Sequence, residues 1–98
     1  MKKTSLKVYV LFRFSKKSGK IDTTMTGLGM GMMSLWALQN TTKSKSCLII
    51  ERDTGKVVYS VVGKDGFPEV EKGDLGSCEE YGLPVDFVTS ITDDRFDE

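Results

Sequence analysis

Residues 32–38 read Met32, Met33, Ser34, Leu35, Trp36, Ala37 and Leu38, an almost unbroken run of apolar side chains. Leu, Met and Ala favour helix, and the polar Asn40, Thr41 and Thr42 that follow do not extend an apolar stripe. The segment predicts a helix that starts within residues 29–31 and ends near Asn40. A surface helix of a small domain buries one stripe and turns a polar face outward. This one has almost no polar face to turn, so it should be covered on more than one side. Two coverings are open. The C-terminal segment could fold over it with Phe67, Val70, Leu75 and Tyr81, or another molecule could, through Met30, Met32, Met33 and Trp36. The apolar stretch 28–38 is too short to span a bilayer, so no membrane association is expected.

The flanking sequence has the other periodicity. Leu6, Val8, Val10, Phe12 and Phe14 alternate with Lys7, Tyr9, Leu11 and Arg13, and Ile21, Thr23 and Met25 alternate with Asp22, Thr24 and Thr26. Period two in β-branched and aromatic residues marks strands, here with one buried face, and the polar run 15–20 between them makes residues 5–26 a hairpin. Residues 47–52 and 57–62 form a second hairpin. Its Asp53-Thr54-Gly55 link has the chemistry of a type I turn closed by a left-handed glycine. Ser77 and Glu80 match a capping box, and Gly82 and Pro84 limit it to a short helical turn. Alternation of Val85, Phe87, Thr89 and Ile91 with polar neighbours and Val88 predicts a last strand. The expected fold class is α+β: an antiparallel sheet of four to five strands, ordered hairpin, helix, hairpin, short helical turn and strand, with one main apolar helix on a face. Residues 1–92 would form a single domain and 93–98 an acidic frayed tail.

The 98-residue chain has no net charge, yet residues 1–56 hold eleven Lys or Arg against three Asp or Glu, and residues 57–98 reverse those numbers. The simplest reading is that the acidic late segment docks onto the basic early sheet. The alternative is a dipolar surface that recruits a charged partner or another copy. Cys47 and Cys78 form no CxxC motif, and the sequence has no histidine to complete a mixed zinc site, so reduced thiols are expected and no metal or cofactor is implied. With no signal peptide visible, the expected compartment is cytoplasmic.

Three features bear on function. Gly27, Gly29 and Gly31 follow a strand and open the helix, where exposed amides can hold an anion. Their spacing departs from the dinucleotide fingerprint, and the simpler role is close helix–sheet packing. Arg13, Lys16, Lys17 and Lys20 form a basic hairpin that could meet nucleic-acid phosphates, although balanced net charge disfavours this. Without histidine, the usual general base and nucleophile activator are both missing, which argues against an enzyme. The expectation is a non-enzymatic binding protein that occupies a macromolecular partner, an inhibitor or accessory protein of the mobile-element kind. A protein partner and a homo-oligomer, joined through the Met/Trp helix, are favoured over a nucleotide at the glycines or a nucleic acid at the hairpin.

Overall fold

The computed structural model describes residues 7–95. Five strands, β1 (Tyr9–Ser15), β2 (Ile21–Gly27), β3 (Lys45–Glu51), β4 (Lys56–Val62) and β5 (Glu69–Lys72), form one sheet in the order β2-β1-β3-β4-β5. Every neighbouring pair is antiparallel. Helix α1 (Met30–Asn40) links β2 to β3. Those two strands flank β1 and run parallel to each other, and parallel strands need such a crossover. The expected fold class and both expected hairpins are present. Residues 5 and 6 of the first hairpin lie outside the described residues, as do residues 96–98 of the expected acidic tail. Among the described residues no helix is long and apolar enough to cross a membrane.

β1 departs from the one-faced strand its alternation predicts. Val10 and Phe12 are buried on one face of the sheet with Leu48, Ile50 and Val57. Leu11 is equally buried on the other, with Cys47, Ile49, Tyr59 and Val61. The sheet is therefore the middle of three layers. On the Leu11 face, α1 lays Met33 and Ala37 across it. On the Val10 face, the C-terminal segment supplies Cys78 and Val88, with Leu75, Leu83, Val85 and Ile91 packed around them.

That second layer corrects three expectations. Residues 85–91 do not form a last strand; Val85–Thr89 is a short helix, α2. Pro84 is its N-cap, extended at φ −62° and ψ 139°, and has no N–H to give a strand ladder. Val85, Val88 and Ile91, spaced by three, pack inward, and the partly exposed Phe87 lays its ring on Phe12 at 5.8 Å between centroids. The fifth strand is instead β5, whose four residues are all exposed and so lack an alternating burial signal. The C-terminal segment also does not cover α1, because Leu75 and the 3₁₀ turn Cys78–Tyr81 sit on the opposite face of the sheet. Among the described residues, ion pairs between the halves are not the main contacts that dock this segment. Apolar side chains do so, helped by backbone bonds such as Leu75 N–H to Val57 O at 2.9 Å and Cys78 N–H to Gly55 O at 2.8 Å. The ion pairs Lys43–Asp65 and Lys56–Asp74, which do join the halves, are exposed and 3.7 Å long, a geometry worth little in water.

The expected turn chemistry is present. Gly55 has φ +74° and donates its N–H to Glu51 O at 2.8 Å. Ser77 accepts from Glu79 N–H at 3.2 Å, Glu80 reaches back to Ser77 N–H, and Gly82 ends the turn at φ +87°. A tighter constraint is Gly63, after β4. Its N–H donates to the buried Ser46 hydroxyl at 3.0 Å. Its carbonyl accepts from the Lys16 ammonium. A Cβ at this position would lie 1.7 Å from Thr42 O, a backbone atom that cannot yield. Gly63→Ala should therefore destabilise by about 3 kcal/mol. Urea denaturation would show this as a lower midpoint at unchanged slope, and an unchanged midpoint would contradict the packing described.

Candidate functional site

The four residues expected to meet a partner do not share one face of α1. Met33 is 3% exposed and belongs to the sheet-facing core with Ala37. Met30 and Trp36 are half-buried on its flanks. Met32 points outward and is 73% exposed. With it on the outward side are Leu35, Leu38 and the preceding Leu28, all exposed large hydrophobics. Residues 32, 35 and 38 recur at spacings of three, one side of a helix, and Leu28 lies just ahead of its first turn. That spacing was readable in the sequence, but a run apolar all round conceals which side faces out.

The helix segment itself carries no charge, although Arg95 and Lys72 border the grooves on its two flanks. Residues 27–42 contain no Asp, Glu, Lys or Arg, and neither end of α1 carries a charge that would complement its dipole. The outward side is therefore apolar, with Gln39 its polar residue. A groove of about 280 Å³ runs along the β2 flank, lined by Met25, Leu28, Met32 and Trp36. A second of about 350 Å³ runs along the other flank, where Met30 and Ser34 face Tyr59 and Val70. Val70, the one expected covering residue that comes near, borders α1 without lying over it.

The three glycines do different things. A Cβ on Gly27 would meet Met33 Sδ at 2.9 Å, so Gly27 lets α1 lie close to the end of β2. Gly29 and Gly31 face open space, and none of the three has a positive φ. Gly29 caps the helix without a side-chain bond, and its carbonyl accepts from Met33 N–H at 3.1 Å. Arg95 lines the groove beside them, but its guanidinium is held by Asp93 at 2.5 Å and donates to Thr26 O at 3.1 Å. The packing role expected of the glycines thus holds at Gly27 alone.

The basic hairpin is divided as well. Asp22 receives Arg13 Nε at 2.9 Å and Lys45 Nζ at 2.6 Å. Those two bonds, Arg13's first, hold the Asp22 carboxyl well below the usual carboxylate range. Lys16 is spent on the Gly63 carbonyl. Lys17 and Lys20 remain exposed in the β1–β2 turn. The cysteines are free and buried on opposite faces of the sheet, and burial pushes both thiols up from their ordinary pKa. A thiol so placed is a poor nucleophile. Among the described residues no His, Cys, Asp and Glu side chains gather into a metal-holding group.

Two predictions follow from the glycines and from Asp22. Gly31→Ala should stabilise by about 0.5–1 kcal/mol, because it trades a flexible helix residue for a helix former in open space. Gly27→Ala should destabilise by about 1 kcal/mol. Paired thermal melts check both signs; equal effects would contradict the distinction drawn between the two positions. Asp22 stabilises the fold only when ionised. Its contribution is complete above its ordinary value of 3.8 and is lost as pH falls from there toward the depressed value. Asp22→Asn should therefore be less stable at neutral pH and should lose less stability below pH 3.8. Urea midpoints across an acidic pH series test this, and parallel curves for the two proteins would contradict it.

No family model matches the chain, and no curated protein or solved structure matches it either.

Proposed function

We propose that this chain is a non-enzymatic binding protein that acts by occupying a protein partner, through the outward face of α1. The observation that carries this reading is a solvent-facing helix surface without charge, on which Leu28, Met32, Leu35 and Leu38 are all exposed. The core is complete without them, since Met33 and Ala37 already seal α1 to the sheet. Methionine and leucine on such a surface adapt to an irregular apolar counterpart. The chemistry of the remaining groups supports a role without catalysis: the sequence has no histidine and both thiols are buried. An inhibitor or accessory protein works this way, by covering a surface on its target.

Two other readings have weaker support. A nucleotide or anion at Gly27, Gly29 and Gly31 would need those glycines to form one cradle, and Gly27 is committed to packing. Nucleic acid at the hairpin would rely on Lys17 and Lys20, since Arg13 and Lys16 are engaged elsewhere.

The test pairs capture with rebinding. The tagged chain is recovered from its native cell, the bound protein is identified, and its purified form is titrated with wild type and Leu35→Lys. Leu35→Lys should weaken binding by about tenfold or more, while its urea midpoint stays within about 0.5 kcal/mol of wild type because the position is exposed. Equal affinity for both chains would contradict this use of the helix. So would a nucleotide that raises the melting temperature while no protein is captured.

A further inference from the structure

The two edges of the sheet are built differently. β5 is four residues long and exposes Glu69, Glu71 and Lys72, the short and charged kind of edge that resists pairing with another strand. β2 is seven residues long and carries one charge, Asp22, already clamped by Arg13 and Lys45. It contains no proline, and among the described residues it pairs with β1 alone.

The backbone groups that β2 turns outward can be identified. Arg52 N–H donates to Val8 O at 2.9 Å, so β1 bonds β3 through Val8, Val10 and Phe12. By alternation it bonds β2 through Tyr9, Leu11 and Arg13, opposite Gly27, Met25 and Thr23. The N–H and C=O of Thr24 and Thr26 therefore face away from the sheet. The Arg95 guanidinium reaches Thr26 O at 3.1 Å from that side, as this phase requires, and must release that carbonyl when a strand pairs there.

Charge is graded along the same edge. At its Ile21 end stand Lys17 and Lys20 of the turn, with Arg13 and Lys45 on Asp22, while the Lys16 ammonium turns away to the Gly63 carbonyl. At its Gly27 end, Thr26 hydrogen-bonds Asp93, with Asp94 and Arg95 beside it; Lys7, near this end, is paired with Glu51 at 3.4 Å. Among the described residues, one end is net basic and the other net acidic. Parallel pairing of two such edges would set like on like. Antiparallel pairing sets the basic end of each copy on the acidic end of the other, twice.

We propose that the chain forms a twofold dimer in which β2 pairs antiparallel with β2 of a second copy, joining the two sheets edge to edge. The twofold axis then stands perpendicular to the sheet, so both α1 helices lie on one face. Met25, on that face with Leu11, meets its counterpart near the axis, and the grooves lined by Met32 and Trp36 face each other across it. The outward face of α1 stays open, so the dimer does not depend on the partner reading above and would present two such faces side by side.

Analytical ultracentrifugation of the whole chain over a concentration series tests this. Wild type should sediment at twice the 10.9 kDa chain mass. Thr24→Pro removes an outward N–H that the β1–β2 ladder does not use, which an edge strand tolerates. It should raise the dimer dissociation constant about a hundredfold at unchanged circular dichroism. The double variant Lys17→Glu with Lys20→Glu changes only exposed turn residues and should weaken the dimer by about tenfold at low salt. Leu35→Lys should leave it intact. The proposal is overturned by a wild type that stays monomeric, or by a folded Thr24→Pro that dimerises as well as wild type. It is overturned too if Thr24→Pro fails to fold and the double lysine variant dimerises undiminished. Dissociation by Leu35→Lys alone would place self-association on α1 instead, overturning the β2 dimer while leaving the partner-docking face standing.

Discussion

The ladder between β1 and β3 is the element on which the rest depends. It runs from Tyr9 opposite Glu51 to Ser15 opposite Lys45, with apolar side chains buried on both faces. Most small antiparallel sheets leave one face in water. This one cannot, so the chain must supply two covering layers from 98 residues. A single helix covers one face, and two short helical turns with their loops cover the other. Since both faces are apolar, a slip of one residue would not expose the core, and binary pattern alone does not fix the register. Side-chain contacts specific to this pairing hold it instead, as where Arg13 of β1 and Lys45 of β3 share Asp22 at 2.9 and 2.6 Å.

Local signals carried most of the architecture. The bounds of α1, both hairpins, the Gly55 turn and the Ser77–Glu80 capping box were legible because each depends on near neighbours and on stereochemistry. What was not legible depends on distant residues. Val85, Val88 and Ile91 pack inward at helical spacing, but Phe87 and Thr89 complete an alternating pattern that imitates a strand. Over seven residues the two periods are hard to separate, and burial of Val88 in the core beside Val85 and Ile91 goes with the helical one. β5 was hidden because an edge strand exposed on both faces needs no hydrophobic alternation. Which of the two coverings of α1 applies was not legible for a related reason: its apolar run shows a need for cover, while the face on which the C-terminal segment lands is set by the three-layer packing.

The charge split takes on a different meaning in three dimensions. Many of its ion pairs close within a half, as Asp22 does with Arg13 and Lys45 and Asp93 does with Arg95. Apolar contacts dock the late segment. The separation of sign is left on the surface, and it is graded along the β2 edge. The uncharged face of α1 lies next to that edge. A small chain that needs two cores to fold thus also carries an apolar face on α1 and, along β2, a dipolar edge that its own Asp93 and Arg95 meet only at Thr26. On this account α1 meets a protein partner and β2 meets a second copy.

Methionine oxidation read by mass spectrometry tests the central claim about α1 most directly. Met32 and Met33 are neighbours in sequence and differ in exposure, 73% against 3%, so one measurement contains its own control. In the isolated chain, Met32 should oxidise readily and Met33 slowly. In the complex recovered from the native cell, Met32 should become protected while Met33 stays as it was. Met32 that remains as reactive in the complex as in the free chain would contradict the account.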